Sequence, residues 1–321
     1  MSQQPGPDHD LAFASRQPRA GWNRRLARPL VIVTFAAACF ASGHACNSST
    51  PSQKPDPTPV ISQSRKASYT ETWDRSAFDH ALWDAVVREH VNDQGLVDYA
   101  RVAADARFNE YLYRLANTDA ADLADDAQRL AFWINAYNAL TIKAVLETLP
   151  DDRARWSDYS IKKQSVGGKN IWQGLEFQVG GGNRTLDEIE HEILRKQDGL
   201  RDPRIHLVLV CAARGCPRLW NRAYDPRRID EQLSDAVRRY VKDPRQFRID
   251  ESSRALTLTQ VFEWYGKDFT SPDFSPNAPT IPAFLAKYIP DPPLTRALNL
   301  EVWRVKYFDY DWSLNLAPSA P

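Results

Sequence analysis

The segment Gln128–Leu149, QRLAFWINAYNALTIKAVLETL, constrains the fold of this chain more than any other stretch. Its apolar residues follow a helical period but surround nearly the whole circumference instead of forming one stripe. Such a helix offers no broad face to water, so other elements must enclose it on most sides. Asn135 and Asn138 lie one turn apart on it. A buried amide left without a partner costs about 1–3 kcal/mol. These two therefore either brace neighbouring loops or line a pocket.

The enclosing elements are legible in outline. Ser76–His90 and Ala106–Ala116 read as amphipathic helices, with Gly95–Tyr99 as a short extended piece between them. Ser165–Gly182, with alternating Ile171, Leu175, Phe177 and Val179, predicts a loop feeding a hairpin. Thr185-Leu186-Asp187-Glu188 is a capping box that opens a helix over Leu186–Lys196. At about 100° per residue, Glu190 falls inside the apolar arc of that helix and His191 on its edge. A carboxylate among apolar neighbours is expensive unless paired or protonated. Glu190 is thus either half of a structural ion pair or a site carboxylate that orients a histidine.

Further along, Asp225 caps a helix with Pro226 in its first turn. Phe247–Ile249 and Ala255–Leu258 form a hairpin, and short helices follow at Gln260–Tyr265 and Ile281–Tyr288. A final strand near Val302–Tyr307 leads into DYDWSLN, Asp309–Asn315, a tail too aromatic to stay undocked. The expected class is α+β: a helix-rich single domain around a small, mainly antiparallel sheet. It has one strongly buried central helix (128–149) and one buried strand (205–211).

That strand opens RIHLVLVCAARGCP, Arg204–Pro217, where a chemical reading concentrates. The unbroken apolar run predicts a strand buried on both faces, opening into a small-residue loop with two cysteines. Loops leaving central strands are common places for chemistry. Cys216-Pro217 reads as a helix entry, where backbone N–H groups favour a thiolate.

Three readings of this constellation stand side by side. A metal site would use the spacing His206-x4-Cys211-x4-Cys216, but strand parity sends His206 and Cys211 to opposite faces. A Cys211–Cys216 disulfide would close a tight loop. A thiol mechanism would use Cys216 as nucleophile, His191 or His206 as base and Glu190 as orienter.

The first 46 residues are set aside from the fold. Arg19, Arg24, Arg25 and Arg28 precede the apolar run Leu30–Ala45, the layout of a secretory signal. The run is shorter than the roughly 20 apolar residues a spanning helix needs. Cys46, followed by a polar Ser/Thr/Pro stretch, resembles a lipoprotein processing site, with Cys39 as a second candidate. The expected layout is a signal at 1–46, a disordered tether at 47–68, one domain at 69–316 and a disordered tail at 317–321. A lipid-anchored protein facing the periplasm or the cell surface follows, with a soluble exported form as the alternative. In an oxidising compartment Cys211 and Cys216 must form a disulfide or be protected as thiols.

Lysine plus arginine equals aspartate plus glutamate, at 41 each, so no bulk field attracts nucleic acid. There is no glycine-rich phosphate loop, and neither a cofactor nor a metal is implied.

The blocks FWINAYNALTIKAVL, TLDEIEHEILR, DPRIHLVLVCAARGCPRL and YDWSLN, in this order, resemble the domain-of-unknown-function 547 family from about Ala77 to Asn315. The resemblance implies a bacterial secreted protein or lipoprotein and supplies no reaction. Falling in its blocks are Asn135, Tyr137, Asn138, Glu190, His191, Arg204, His206, Cys211, Cys216, Pro217, Asp311 and Trp312. Arg218 departs from it, standing where a second proline is common. Of these, Asn135, Tyr137, Asn138, Arg204, Asp311 and Trp312 are expected to line a pocket or support the site. Two functions stay open. One is an extracytoplasmic cysteine-dependent hydrolase or acyl transferase acting on a peptide or envelope polymer. The other is a non-catalytic envelope binding or scaffold module with a Cys211–Cys216 disulfide.

Overall fold

The computed structural model describes residues 77–318. The signal, the tether and both lipidation candidates, Cys46 and Cys39, lie outside the described residues. Among those described, no helix is long and apolar enough to cross a membrane.

The central helix runs over Asp126–Thr148, and Asp125 caps it by accepting the Gln128 N–H. Fifteen of its residues are buried, as a helix apolar all round requires. Three helices, Ala81–His90, Tyr99–Ala104 and Ala106–Ala116, lead into it. The first starts five residues later than its apolar pattern suggests, and the second was not legible as a helix. Trp83, Tyr111, Phe108 and Phe132 fill the core between these elements. A second core gathers Phe262, Phe269, Phe284 and Leu256.

Three small sheets are present among the described residues. Two are two-stranded hairpins, 165–166 with 169–170 and Glu176–Val179 with Gly182–Thr185. The third orders Phe247–Asp250, Ala255–Leu258 and Arg304–Tyr307, its first pair antiparallel and its second parallel. Helices 261–264, 266–270, 281–286 and 292–300 fill the crossover between its last two strands. The domain is α+β, with its strands in three small sheets instead of one.

The buried strand at 205–211 does not form. Pro203–Leu207 is a 3-10 helix capped by Asp202, and Val208–Val210 is irregular. The burial behind that reading is present: Ile205 and Val208 enter the first core and Leu207 the second. What a strand also needs is a neighbouring strand, and Asn138 stands in its place. Its amide donates to Val208 O at 3.0 Å and accepts the Val210 N–H at 3.0 Å. Asn135 does the same for Tyr224, at 2.8 and 2.9 Å. Both asparagines therefore brace loops, and Asn138 fixes the segment that delivers Cys211.

Candidate functional site

The site is assembled around Glu190. The capping box forms as read, Thr185 accepting the Glu188 N–H and Glu188 accepting the Thr185 N–H. Beyond one α turn, however, Ile189–Leu194 is a π-helix, and the Arg195 N–H bonds to Glu190 O five residues back. π turns are uncommon and recur at functional sites. Glu190 is 8% exposed, deep in the apolar face, whereas the His191 side chain is 25% exposed on its edge. Tyr137 Oη, from the central helix, donates to Glu190 Oε2 at 2.9 Å. Tyr265 faces the same carboxylate, and burial followed by Glu190 pushes both phenols well above their ordinary range.

His206 lies beside this carboxylate. It is 3% exposed, its ring stacked on Tyr265 at 3.9 Å, with Phe269 at 5.7 Å. Its Nε2 is 2.8 Å from Asp268 Oδ2, and its Nδ1 is 3.9 Å from Glu190 Oε1. Burial opposes the charge of Asp268, but hydrogen bonds from His206 and Arg195 outweigh it and hold the carboxyl well below its usual range. Arg195 grips the same carboxylate with two bonds, at 2.7 and 2.9 Å. An ionised Asp268 only accepts, so Nε2 carries the ring proton. Burial lowers the basicity of His206 more than the two carboxylates raise it, which leaves Nδ1 as a free lone pair. That atom is buried and has no hydrogen-bond partner among the described residues.

His191 has a different task. Its Nδ1 is 2.9 Å from Arg195 Nη1, and a guanidinium only donates, so the lone pair at Nδ1 is occupied. His191 steadies the arginine that holds Asp268.

The two cysteines are free thiols in unequal settings. Cys216 is 6% exposed, and burial pushes its thiol far up. It accepts the Cys211 N–H at 3.0 Å, and Gln246 donates to its carbonyl at 2.7 Å. Cys211 is partly exposed, with Tyr310 Oη 3.1 Å from its sulfur. A hydrogen bond from Cys216 lowers the Cys211 pKa against the effect of burial, and Tyr310 and the Ala213 N–H add to that lowering. Ala212 between them adopts φ 60°, a left-handed conformation costing a non-glycine residue about 1–2 kcal/mol, in a turn that brings the Ala213 N–H to the sulfur. Glu190 lies within electrostatic reach of Cys211 as well as of His206.

The tail holds this loop in place. Arg214 and Gly215 donate to Ser313 O and Asp311 O at 2.9 and 2.8 Å, and Asn315 donates to Ala212 O at 2.9 Å. Order extends to Ala317, whose N–H bonds to Val97 O. Trp312 packs on Trp264, Tyr310 and Trp172 beside Cys211, with Lys162 over its ring. A Cβ on Gly215 would stand 2.7 Å from Asp311 N, a backbone atom that has no room to yield. Gly215→Ala should therefore cost about 1–3 kcal/mol and loosen the tail. Urea unfolding checks the stability, and faster exchange of the Arg214 and Gly215 amides checks the loosening.

The strand-parity objection to a metal falls with the strand. His206, Cys211 and Cys216 nonetheless do not converge as ligands. Among the described residues the metal-ligating side chains that gather are Glu89, His90 and Asp105, and Arg107 bonds both carboxylates there. Arg204 stands apart from the cluster, tied to Asp202, Asp230 and Ser234. The Asp311 side chain caps its own turn by accepting from Ser313.

Sequence reasoning missed Asp268, Arg195, Tyr265 and Tyr310. Asp268 carried a usable signal, since it falls at the edge of the arc shared by Val261, Tyr265 and Phe269, much as His191 does in its helix.

Fold and site together define a helix-rich α+β domain that encloses a carboxylate–histidine pair, a second buried carboxylate and two free thiols, of which Cys211 is the more exposed. Residues 121–241 match the model of the family described as protein of unknown function, DUF547, and the chain carries a domain of that family. Comparison with curated proteins and with solved structures returned no match. Glu190, His191, His206, Cys211 and Cys216 fall inside the matched residues, whereas Tyr265, Asp268, Tyr310 and Trp312 lie beyond them.

Proposed function

We propose that this domain is a thiol-dependent acyl hydrolase or transferase, with Cys211 as nucleophile, His206 as base and Asp268 as the group orienting His206. The observation that carries the reading is the buried, unpartnered Nδ1 of His206, backed by an ionised Asp268 on its other nitrogen. A base held in one tautomer by a carboxylate is the usual partner of a catalytic thiol. In the forward step the Cys211 proton passes to Nδ1 through a bridging water or substrate group, since among the described residues no sulfur lies within hydrogen-bond distance of that nitrogen, and the sulfur bonds to the acyl carbon. The leaving nitrogen or oxygen departs with that proton. Water or an acceptor amine then attacks the thioester, yields its proton to Nδ1 and frees the thiolate. Glu190 and Asp268 flank the imidazolium formed in between and stabilise it. The role assigned from sequence to Cys216 moves in this reading to Cys211, because Cys216 is buried with its pKa raised, and Cys216 keeps a positioning part by accepting the Cys211 backbone N–H. The base is His206 instead of His191, whose lone pair Arg195 occupies.

The site of action belongs to the same proposal: outside the cytoplasm, on a lipid anchor at Cys46, with a peptide or envelope polymer as substrate. The basic, apolar and small-residue layout of the first 46 residues supports it. A second reading has one observation in its favour. The Cys211 N–H already donates to Cys216 Sγ, which keeps both cysteines in one tight loop where a disulfide and a purely structural role in a binding module are accommodated.

One experiment separates these readings. Iodoacetamide treatment of protein purified without reductant should alkylate Cys211 in the wild type and in Cys216→Ser, with a midpoint below the roughly 8.5 of a free thiol. Cys211→Ser should resist labelling. A mass two hydrogen atoms lighter and no labelling would establish the disulfide module, and exclusive labelling of Cys216 would sink the assignment to Cys211.

A further inference from the structure

A cleft of about 480 Å³ lies behind the cysteine loop, and its lining includes none of Glu190, His206 or Cys211. Leu207, Pro217, Tyr240 and Gln246 contribute to its wall, and Arg222, Arg239 and Lys242 bring charge. Its two carboxylates are already engaged: Asp243 by Arg218 and Arg245, Asp93 by Asn221. Arg222, Arg239 and Lys242, by contrast, have no carboxylate within ion-pair distance among the described residues. Arg239 lies over the Trp220 ring at 4.0 Å and Arg222 approaches the same ring at 5.9 Å. Two guanidinium groups thus share one indole with no anion to separate them. Burial opposes the charge of Arg239 and outweighs the support of Tyr224 and the more distant Asp235, and Arg222 adds to that opposition. Arginine forks match the planar or tetrahedral oxygens of carboxylate and phosphate. The volume falls in the range of small-molecule sites and exceeds what a bare ion fills.

We propose that this cleft binds an oxyanion, a phosphate or carboxylate group carried on a larger molecule, bridged between Arg222 and Arg239. The inference is independent of the thiol chemistry. Its placement does tie the two together in space, because Leu207 follows His206, Pro217 follows Cys216, and Gln246 bonds to Cys216 O.

The test is calorimetric titration of the full chain with pyrophosphate and with citrate, at ionic strength held constant with sodium chloride. Saturable binding of at least one is expected, with Kd raised about tenfold or more by Arg222→Gln and by Arg239→Gln. Arg227→Gln, on the surface outside the cleft, should leave Kd unchanged. Arg222 is exposed, and its replacement relieves a repulsion, so Arg222→Gln should melt no lower than the wild type. Loss of binding in this folded variant then reports on the site. Heats no different from those of chloride, or a wild-type Kd in both arginine variants, would overturn the proposal.

Discussion

Asp268→Asn should lower stability by about 3–5 kcal/mol and slow the alkylation of Cys211 by at least tenfold. The stability loss follows from what the substitution strands. Arg195 keeps its charge in a half-buried position while losing two charge-assisted bonds, and His206 loses the acceptor that fixes its tautomer. Removing one partner of a buried ion pair costs this much because the other charge stays desolvated. The rate loss follows from the freed imidazole. With an amide opposite, Nε2 need not carry the proton, and a ring protonated on Nδ1 no longer accepts one from sulfur. The pH dependence has a definite sign. A carboxyl held below its unfolded value stabilises the fold above the unfolded pKa of about 3.9 and loses that contribution as pH falls through the folded pKa. The gap in melting temperature between wild type and Asp268→Asn should therefore be full at about pH 5. It should narrow steadily from about pH 5 to about pH 2 without vanishing, because the folded carboxyl stays ionised below the unfolded pKa; a gap that does not narrow over this range would remove the ionised carboxylate from the explanation.

Asn138→Ala should cost about 2–5 kcal/mol, a melting-temperature loss on the order of 10 °C for a domain of this size. The Asn138 side chain satisfies one buried carbonyl and one buried amide, and alanine abandons both. Asn138→Asp separates the two halves of the effect. It keeps an acceptor for the Val210 N–H but loses the donor to Val208 O and buries a charge, so it should be at least as damaging. Leu112→Ala, a partly buried truncation at the edge of the same core, serves as the control. It should lower the melting temperature without changing Cys211 labelling, whereas Asn138→Ala should change both.

Parts of this site were legible residue by residue. Glu190 stood out because a carboxylate inside an apolar arc demands a partner, and that demand does not depend on whether the helix continues as α or widens to π. The capping box at Thr185 and Glu188 is local chemistry among four consecutive residues. The choice between bracing and lining for Asn135 and Asn138 could be posed from burial alone, and the loops they brace answered it. Burial of 205–210 on both sides was also readable, since unbroken apolarity says that water is excluded. The strand was not secured by it, because a ladder depends on a neighbouring backbone that no local pattern specifies. Asn138, some seventy residues away, took that place.

Cys211 and Cys216 show the same limit for chemistry. Their spacing and the proline after Cys216 favoured the second sulfur, whereas the proposed mechanism uses the first, which is the less buried and lies beside the Tyr310 hydroxyl. Asp268 and Arg195 complete His206 from elements far apart in the chain. The sequence by itself determined an enclosed central helix, a buried carboxylate at 190 and a histidine and two thiols in one run, because each follows from burial and periodicity within a segment. Only the tertiary structure decided which nitrogen of His206 is left without a partner and which of the two sulfurs lies beside the Tyr310 hydroxyl. Those properties depend on hydrogen-bond donors and acceptors within about 3 Å, and folding alone brings these together from distant parts of the chain.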